Sequence, residues 1–312
     1  MATSGSKDFS LTVKELYQSA RRLIPGKPRS NRDEDENNRE ALNMLIKHWQ
    51  GMEIGVWMLR DVYIFLSDGG YEYDLGSSGK LAYSMLKTEL SADAASGATS
   101  FTVDSITDIS DGDYLGVELD DGTLQWTTVS GTPSSLTITP ATALSGAAST
   151  DNHVYTFTDL ADRPIALHTV RLVDPDGNEV ELNQISTVDY DRLTDKDSEG
   201  NPSQYVYDKQ LTNGILKIWP AAEDVQYYIK AKAVIEIDDF DSNTDDLEVP
   251  KQFYRAIKFN LAADMYHEYS PDKTPAEVWV TTQTDINRKA EKYFNEIAGF
   301  DSDDASLIFD YK

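Results

Sequence analysis

Carboxylates are the side chains of this chain that could most readily carry chemistry, because Asp and Glu together number 54 among 312 residues. Paired carboxylates perform glycoside hydrolysis when one acts as the acid and the other as base or nucleophile. At this density, however, close pairs arise without any catalytic role. No G-x-S-x-G elbow occurs, and Asp68-Gly69-Gly70 lacks the Lys-Ser/Thr of a phosphate-binding loop. We therefore predict no catalytic residue and no enzymatic activity.

Metal chemistry has two sets of candidates in the sequence. The four histidines are His48 and His267 on predicted helices and His153 and His168 on predicted strands. They form no HExxH motif and no close pair, so we expect structural roles. Asp195, Asp197, Glu199 and Gly200 copy the first half of an EF-hand loop, but Val206 stands where a bidentate Glu is required. We expect an ordinary turn there, and no metal or other cofactor.

Basic side chains form one cluster, made of Arg21, Arg22, Lys27 and Arg29, just before the acidic run 33–36. The formal net charge of −26 works against a general affinity for nucleic acid, which depends on neutralising phosphates. We expect these side chains to lie in an exposed loop, paired with those acids or with a neighbouring subunit. Contact with DNA is the alternative.

The acidic excess itself has two interpretations, solubility in a salt-tolerant setting or a negative wall past which DNA slides without binding. The chain has no cysteine, so neither a disulfide nor a thiolate metal site can form. The N-terminus lacks the apolar core of a signal peptide, and no run approaches the roughly 18 apolar residues of a spanning helix. We expect a soluble chain with no membrane partner.

Amphipathic helices at both ends must position these residues. Apolar residues from Leu11 to Ile24 recur at helical spacing, with Ser10 placed as the cap, and a second helix covers 37–52. Two more helices begin at Pro250 and Pro275. A lone amphipathic helix cannot bury its apolar stripe, so these helices should pack together in one bundle.

The middle of the chain has β patterns. Residues 89–161 contain eleven acids and no Lys or Arg, and their short alternating runs are separated by turns about every ten residues. This pattern is typical of a small antiparallel β-sandwich or barrel, here inserted as a unit. Further strands in 162–237 form a second sheet, to which a hairpin at 62–75 should belong.

These patterns predict an α+β fold: a helical bundle from both termini, a central antiparallel β region and an inserted small β-sandwich or barrel. The segments are the helices in 1–60, a hairpin in 61–88, the acidic insert in 89–161, the rest of the central β region in 162–237, the C-terminal helices in 238–299 and a tail in 300–312.

Several pieces, taken in order, give the chain a resemblance to a known family. The first piece consists of Leu42, Asn43, Leu45, Trp49, Gln50, Ile54 and Trp57. Four more pieces follow at 73–76, 163–164, 200–208 and 214–220. In this order and spacing they resemble the head-to-tail adaptor, or connector, proteins of short-tailed bacteriophages.

The resemblance implies a structural virion protein in the neck or tail, assembled in the host cytoplasm. Such a protein forms a ring, dodecameric in the family, below the portal, binds a tail or nozzle protein, and lets DNA pass without specific binding. It also implies a C-terminal tail that grips the portal, here Leu307, Ile308, Phe309 and Tyr311. The alternative is a carbohydrate-binding or carbohydrate-active virion or secreted protein, indicated by the exposed-looking Trp126, Tyr114 and Tyr155.

Overall fold

Long helices come from the two ends of the chain, and strands come from its middle. The computed structural model describes residues 9–25, 32–52, 59–76, 79–247, 249–268 and 275–300. The chain divides into two units, one of residues 1–58 with 237–312 and the other of residues 59–236.

The described residues contain five α-helices and a short 3-10 helix at Lys251–Phe253. The α-helices are α1 (Val13–Arg21), α2 (Arg32–Gly51), α3 (Thr187–Asp191), α4 (Tyr254–Glu268) and α5 (Ala276–Phe300). The cap of α1 is Thr12 and not the predicted Ser10: Thr12 Oγ1 accepts from the Glu15 amide at 3.3 Å, and Glu15 Oε2 accepts from the Thr12 amide at 3.0 Å. This reciprocal box needs a Glu three residues after the cap, and Ser10 is followed there by Val13.

The unit of residues 1–58 and 237–312 is called the helical unit below. Its central element is α4, since α1, α2 and α5 all pack against it. Its Ile257, Leu261 and Met265 are completely buried. A nine-residue helix such as α1 is marginal alone in water, so its stability depends on burying Leu16 and Tyr17. Burying the Leu16 side chain contributes about 1.5–3 kcal/mol.

The described residues between 59 and 236 form five sheets. The largest is antiparallel and has the order β11 (Glu179–Glu181), β10 (Pro164–Val173), β17 (Tyr228–Ile235), β1 (Leu59–Phe65), β3 (Leu81–Ala82). The second has the order β12 (Asn183–Gln184), β14 (Gln204–Asp208), β15 (Gly214–Trp219), β2 (Glu72–Leu75). A two-stranded sheet pairs β13 (Glu199–Gly200) with β16 (Ala221–Ala222).

The remaining two sheets lie in the acidic stretch 89–161 and its entry strand. One has the order β4 (Leu86–Glu89), β9 (His153–Phe157), β6 (Tyr114–Glu118), β7 (Leu124–Thr128). The other pairs β5 (Phe101–Thr102) with β8 (Thr137–Ile138). Leu90, Val103, Leu115 and Ile138 share one hydrophobic core between them.

The predicted hairpin at 62–75 does not form. Both edges of β1 are occupied, because β17 pairs along its whole length and β3 pairs on the other side. β2 therefore joins the second sheet, where it pairs with β15. The Asp68-Gly69-Gly70 turn connects two sheets and not two paired strands.

The predicted fold class is also wrong. We expected a helical bundle with one central β region and one small inserted barrel, whereas the described residues form seventeen strands in five sheets against five α-helices. Two of the sheets consist only of two-residue strands, and the pairs β12–β14 and β13–β16 are parallel. The two-residue strands β13 and β16 are too short to show alternation, so the sequence pattern underestimates both the number of strands and the number of sheets.

Candidate functional site

The structure separates the predicted basic cluster. Lys27 and Arg29 lie outside the described residues. Arg21, in the last turn of α1, is completely buried, whereas the next residue, Arg22, is exposed. Arg21 lies one helical turn after Tyr17, on the face that packs into the helical core. Of the two described members, only Arg22 is therefore available at the surface.

Arg22 lies close enough to Lys258 of α4 for the two charges to interact, as does Arg255, one turn earlier on that helix. Burial lowers the pKa of Lys258, and the charges of Arg22 and Arg255 lower it further. Among the described residues, no carboxylate lies within ion-pair distance of any of the three. Three like charges are therefore held together without compensation in a chain whose net charge is −26.

Two aromatic rings accompany these cations. Phe259 of α4 and Tyr293 of α5 have ring centres 5.0 Å apart and are half-buried. The guanidinium carbon of Arg255 lies 4.3 Å from the centre of the Tyr293 ring, and Lys258 Nζ lies 5.9 Å from that of Phe259. Cations over ring faces are attracted by the ring quadrupole, by about 0.5–1 kcal/mol at exposed sites.

Lysines of α5 complete this surface. Lys289 Nζ lies 5.8 Å from the Phe259 ring centre, and Lys292 Nζ lies 5.9 Å from that of Tyr293. Unlike the first three cations, both have carboxylate partners, at 2.6 Å for Lys289 with Asp285 and 3.7 Å for Lys292 with Glu296. We call the whole set the basic–aromatic face: Arg22, Arg255, Lys258, Phe259, Lys289, Lys292 and Tyr293.

The side chains of the basic–aromatic face are suited to binding a partner. It offers guanidinium and ammonium donors beside apolar rings, which suits an anionic surface with some apolar area. Sequence reasoning missed its α4 and α5 members. A signal existed, since Arg255 with Lys258 and Lys289 with Lys292 both have the i,i+3 spacing that places two residues on one helix face.

A second candidate is a cleft of about 490 Å³ in the unit of residues 59–236. Its walls combine aromatic side chains, carboxylates and one lysine: Phe65, Asp68, Glu72, Tyr73, Asp74, Lys80 and Trp126. The Tyr73 hydroxyl accepts from the Ser67 amide at 3.2 Å and lies 3.0 Å from the Gly70 carbonyl oxygen, to which it donates, so it fixes the loop between β1 and β2. The cleft could accept a polar ligand with an apolar face, such as a sugar ring.

The aromatic residues proposed from sequence have different surroundings in the structure. Tyr155 is completely buried and Tyr114 and Trp126 are half-buried, so the expectation that all three are exposed is wrong. Tyr155 instead donates a hydrogen bond to the Gln226 carbonyl at 3.0 Å. The Trp126 ring lies over Gly116, where an added Cβ would be 2.9 Å from it. Of the three, Trp126 alone lines the cleft.

The calcium-like string and the histidines do not converge. Glu199 and Gly200 form β13, and the Asp195 carbonyl accepts a hydrogen bond from Trp219 Nε1 at 2.9 Å. His153 is buried and His168 is exposed. Within the described ranges, no group of three His, Cys, Asp or Glu side chains is placed to hold a metal ion. No helix in that part of the chain is long and apolar enough to cross a membrane.

Comparison with solved structures shows a local likeness to a phage protein. No family model matches the chain, and no curated protein matches it. Among solved structures the chain is similar to the Gp54 tailspike of Acinetobacter baumannii bacteriophage AP22, solved with A. baumannii capsular saccharide. The identity is 17%, the match covers 26% of this chain and 16% of the tailspike chain, and the TM-score is 0.23. A likeness of this size, to part of one phage virion protein, indicates neither a shared fold nor a shared function.

Proposed function

We propose that this chain is a structural protein of a phage virion, a head-to-tail adaptor that docks on the portal and offers a surface to the tail. Its work is to bind partners in succession, and no step of it is catalytic. The proposal comes from the resemblance in sequence and from where the structure puts the residues that carry that resemblance.

The observation that supports the proposal is that the β pieces of the resemblance contact one another. Piece 73–76 pairs with piece 214–220 through β2 and β15, and piece 214–220 pairs with piece 200–208 through β15 and β14. The Tyr207 hydroxyl donates to the Pro164 carbonyl at 2.5 Å, which ties piece 163–164 to piece 200–208. Pieces scattered over about half of the chain therefore meet in one place.

The helical piece also has a packing role. Leu42, Leu45 and Trp49 are buried in the helical core, and Trp49 lies 5.6 Å, ring centre to ring centre, from Phe294. The described residues that carry the resemblance thus serve packing and strand pairing, which is what a structural protein requires of them.

The test is mass photometry of the purified full-length chain with the portal protein of the same phage. An adaptor forms a complex in which several copies add to one portal ring. A chain that never binds portal, at any salt concentration at which both proteins are soluble, would contradict the proposal. Deletion of 306–312, which removes Leu307, Ile308, Phe309 and Tyr311, tests the docking tail; these residues lie outside the described ranges, and their role stays a prediction.

The cleft favours a second candidate function, glycan binding. Trp126 and Tyr73 offer half-buried rings beside three carboxylates, an arrangement that suits stacking on a sugar ring with hydrogen bonds to its hydroxyl groups. A glycan array with the wild type and Trp126→Ala tests it, with Phe9→Ala as the control because Phe9 is exposed in the helical unit. If Trp126→Ala still binds every glycan that the wild type binds, the cleft is excluded as the glycan-binding site.

A further inference from the structure

We infer that the basic–aromatic face binds the acidic surface of residues 89–161 in a second copy of this chain. The contact joins two different surfaces, one from each copy. The proposed adaptor function requires copies to associate, and this inference names the contact through which they do so. The contact itself does not depend on that function; only the expectation that the associated copies close into a ring rests on it.

The first step concerns charge that is left uncompensated. Arg22, Arg255 and Lys258 have no carboxylate partner among the described residues, although acids outnumber cations almost two to one in the sequence. Lys258 is half-buried, so part of its hydration has already been lost. A bound anionic surface would relieve the mutual repulsion of these cations, and the gain would appear as binding free energy.

The second step concerns geometry. Arg255 is held over the Tyr293 ring at 4.3 Å, and Phe259 packs beside that ring. A guanidinium held in place by an aromatic ring loses less side-chain entropy when it binds a carboxylate. Aromatic residues and Arg are also the types enriched at the centres of protein interfaces. The face therefore has the composition of a protein-binding surface.

The third step identifies the occupant. A chain of net charge −26 repels DNA at long range, and three unpaired cations offer few phosphate contacts. The stretch 89–161 is the complement of the face, since it has eleven acids and no Lys or Arg that would repel it. Asp104, Asp108, Asp151 and Asp159 are exposed there, and among the described residues no hydrogen bond or ion pair engages their carboxylates.

The fourth step follows from symmetry. A contact between two different surfaces is heterologous, so after two copies bind, one of them still has a free basic–aromatic face and the other still has a free acidic surface. Such contacts continue from copy to copy and give a closed ring or an open filament. A self-complementary dimer would instead use the same surface twice and would stop at two copies.

The test uses full-length variants that each lose one side of the contact. Arg255→Glu/Lys258→Glu reverses the basic–aromatic face, and Asp104→Asn/Asp108→Asn/Asp151→Asn/Asp159→Asn neutralises the acidic surface. Asn tolerates the positive φ of positions 108 and 151. Arg192→Glu/Lys209→Glu is the control, because it changes the charge equally at two exposed positions away from the face.

Mass photometry at low and high salt gives the readout. The wild type and the control should associate, and added salt should weaken the association. The basic–aromatic face variant and the acidic-surface variant, each measured alone, should associate at least about tenfold more weakly than the wild type. An equimolar mixture of the two should form one-to-one complexes that grow no further, because each complex has one intact contact and two inactive surfaces. Thermal melting checks folding, and Arg255→Gln/Lys258→Gln replaces the reversal if it does not fold.

Three results would overturn the inference: a wild type that stays monomeric at every concentration tested, a mixture that stays monomeric while the wild type associates, or a reversed variant that loses binding to duplex DNA but associates as the wild type does. Portal binding is measured separately. A wild type that associates through this contact but does not bind portal would contradict the adaptor proposal and leave the inference intact.

Discussion

The side-chain amide of Asn43 bonds both backbone groups of Phe240: Oδ1 accepts from the Phe240 amide at 3.0 Å, and Nδ2 donates to its carbonyl at 3.2 Å. Asn43 lies on α2, and the Phe240 side chain is buried in the helical core. The pair joins residues 197 positions apart and fixes the segment by which the chain re-enters the helical unit.

Replacing Asn43 with Ala should therefore destabilise the chain. Both Phe240 backbone groups would lose their partner, and each unsatisfied group costs about 1–3 kcal/mol when buried. Asn43→Asp keeps the acceptor but places a second carboxylate oxygen against the Phe240 carbonyl oxygen, so it should also destabilise the chain. Urea unfolding measures both, with the exposed Asn37→Ala as the control. Equal stability of Asn43→Ala and Asn37→Ala would show that the two hydrogen bonds between Asn43 and Phe240 contribute nothing to the stability of the chain.

Gly116 is predicted to be intolerant of any side chain. A Cβ there would lie 2.9 Å from two atoms of the Trp126 ring, and Trp126 is in turn packed edge-on against Phe65 with ring centres 4.8 Å apart. Overpacking of this kind costs about 1–3 kcal/mol. Gly116→Ala should lower the melting temperature and shift the tryptophan fluorescence.

The matched control is Gly200→Ala, also in a strand, where an added Cβ would make an ordinary 3.6 Å contact with Pro220. It should leave stability almost unchanged. If Gly116→Ala and Gly200→Ala have the same melting temperature, the tight approach of Trp126 to Gly116 does not constrain the unit.

Acid should destabilise the unit that contains His153. This residue is buried, and its Nδ1 lies 3.2 Å from the Tyr155 hydroxyl. Burial lowers the pKa of His153 and repulsion from Lys87 lowers it further, against the attraction of Glu118 and Asp224. The unfolded chain therefore takes up the proton at a higher pH than the folded chain, so stability is retained above about pH 7 and falls as the pH drops below about 6.5.

The measurement is the free energy of unfolding between about pH 7.5 and pH 5, compared among the wild type, His153→Gln and His168→Gln. His168 is exposed, so its substitution should leave the acid dependence unchanged, whereas His153→Gln should reduce it. An identical pH dependence in all three proteins would assign the acid sensitivity to carboxylates elsewhere.

How much of the fold was predictable depends on the length of each pattern. The apolar repeat around Leu42, Leu45 and Trp49 spans several turns, and it predicted a helix that the structure has as α2. The β patterns in 162–237 predict strands, and the structure has β17 and β10 there, of eight and ten residues. A pairing of two residues, such as Glu199–Gly200 with Ala221–Ala222, leaves no periodic trace, because packing rather than local propensity selects it.

The basic–aromatic face shows why sites are harder to predict than elements. Arg22 stands out in the sequence because it neighbours other cations, but Arg255 and Lys258 lie more than 200 positions away on another helix. Only the packing of α1 against α4 brings them together. Arg21 is completely buried, although it differs from Arg22 by a single position and about 100° of helix rotation.

Lys258 should be a residue whose removal stabilises the free chain and weakens its association. Its lowered pKa means that the folded state disfavours the charged form, so wild-type stability should rise with pH between the folded and the unfolded pKa of this lysine. Lys258→Met removes that cost and keeps the apolar stem, and it should stabilise the chain at neutral pH by roughly 0.2–0.5 kcal/mol after screening. Lys289→Met is the matched control, because Lys289 pairs with Asp285 at 2.6 Å and its loss should give no gain in stability.

Urea unfolding at neutral and alkaline pH measures the stability of both variants, and mass photometry measures their association. A less stable Lys258→Met chain would contradict the repulsion, and undiminished association would show that Lys258 does not contact the partner.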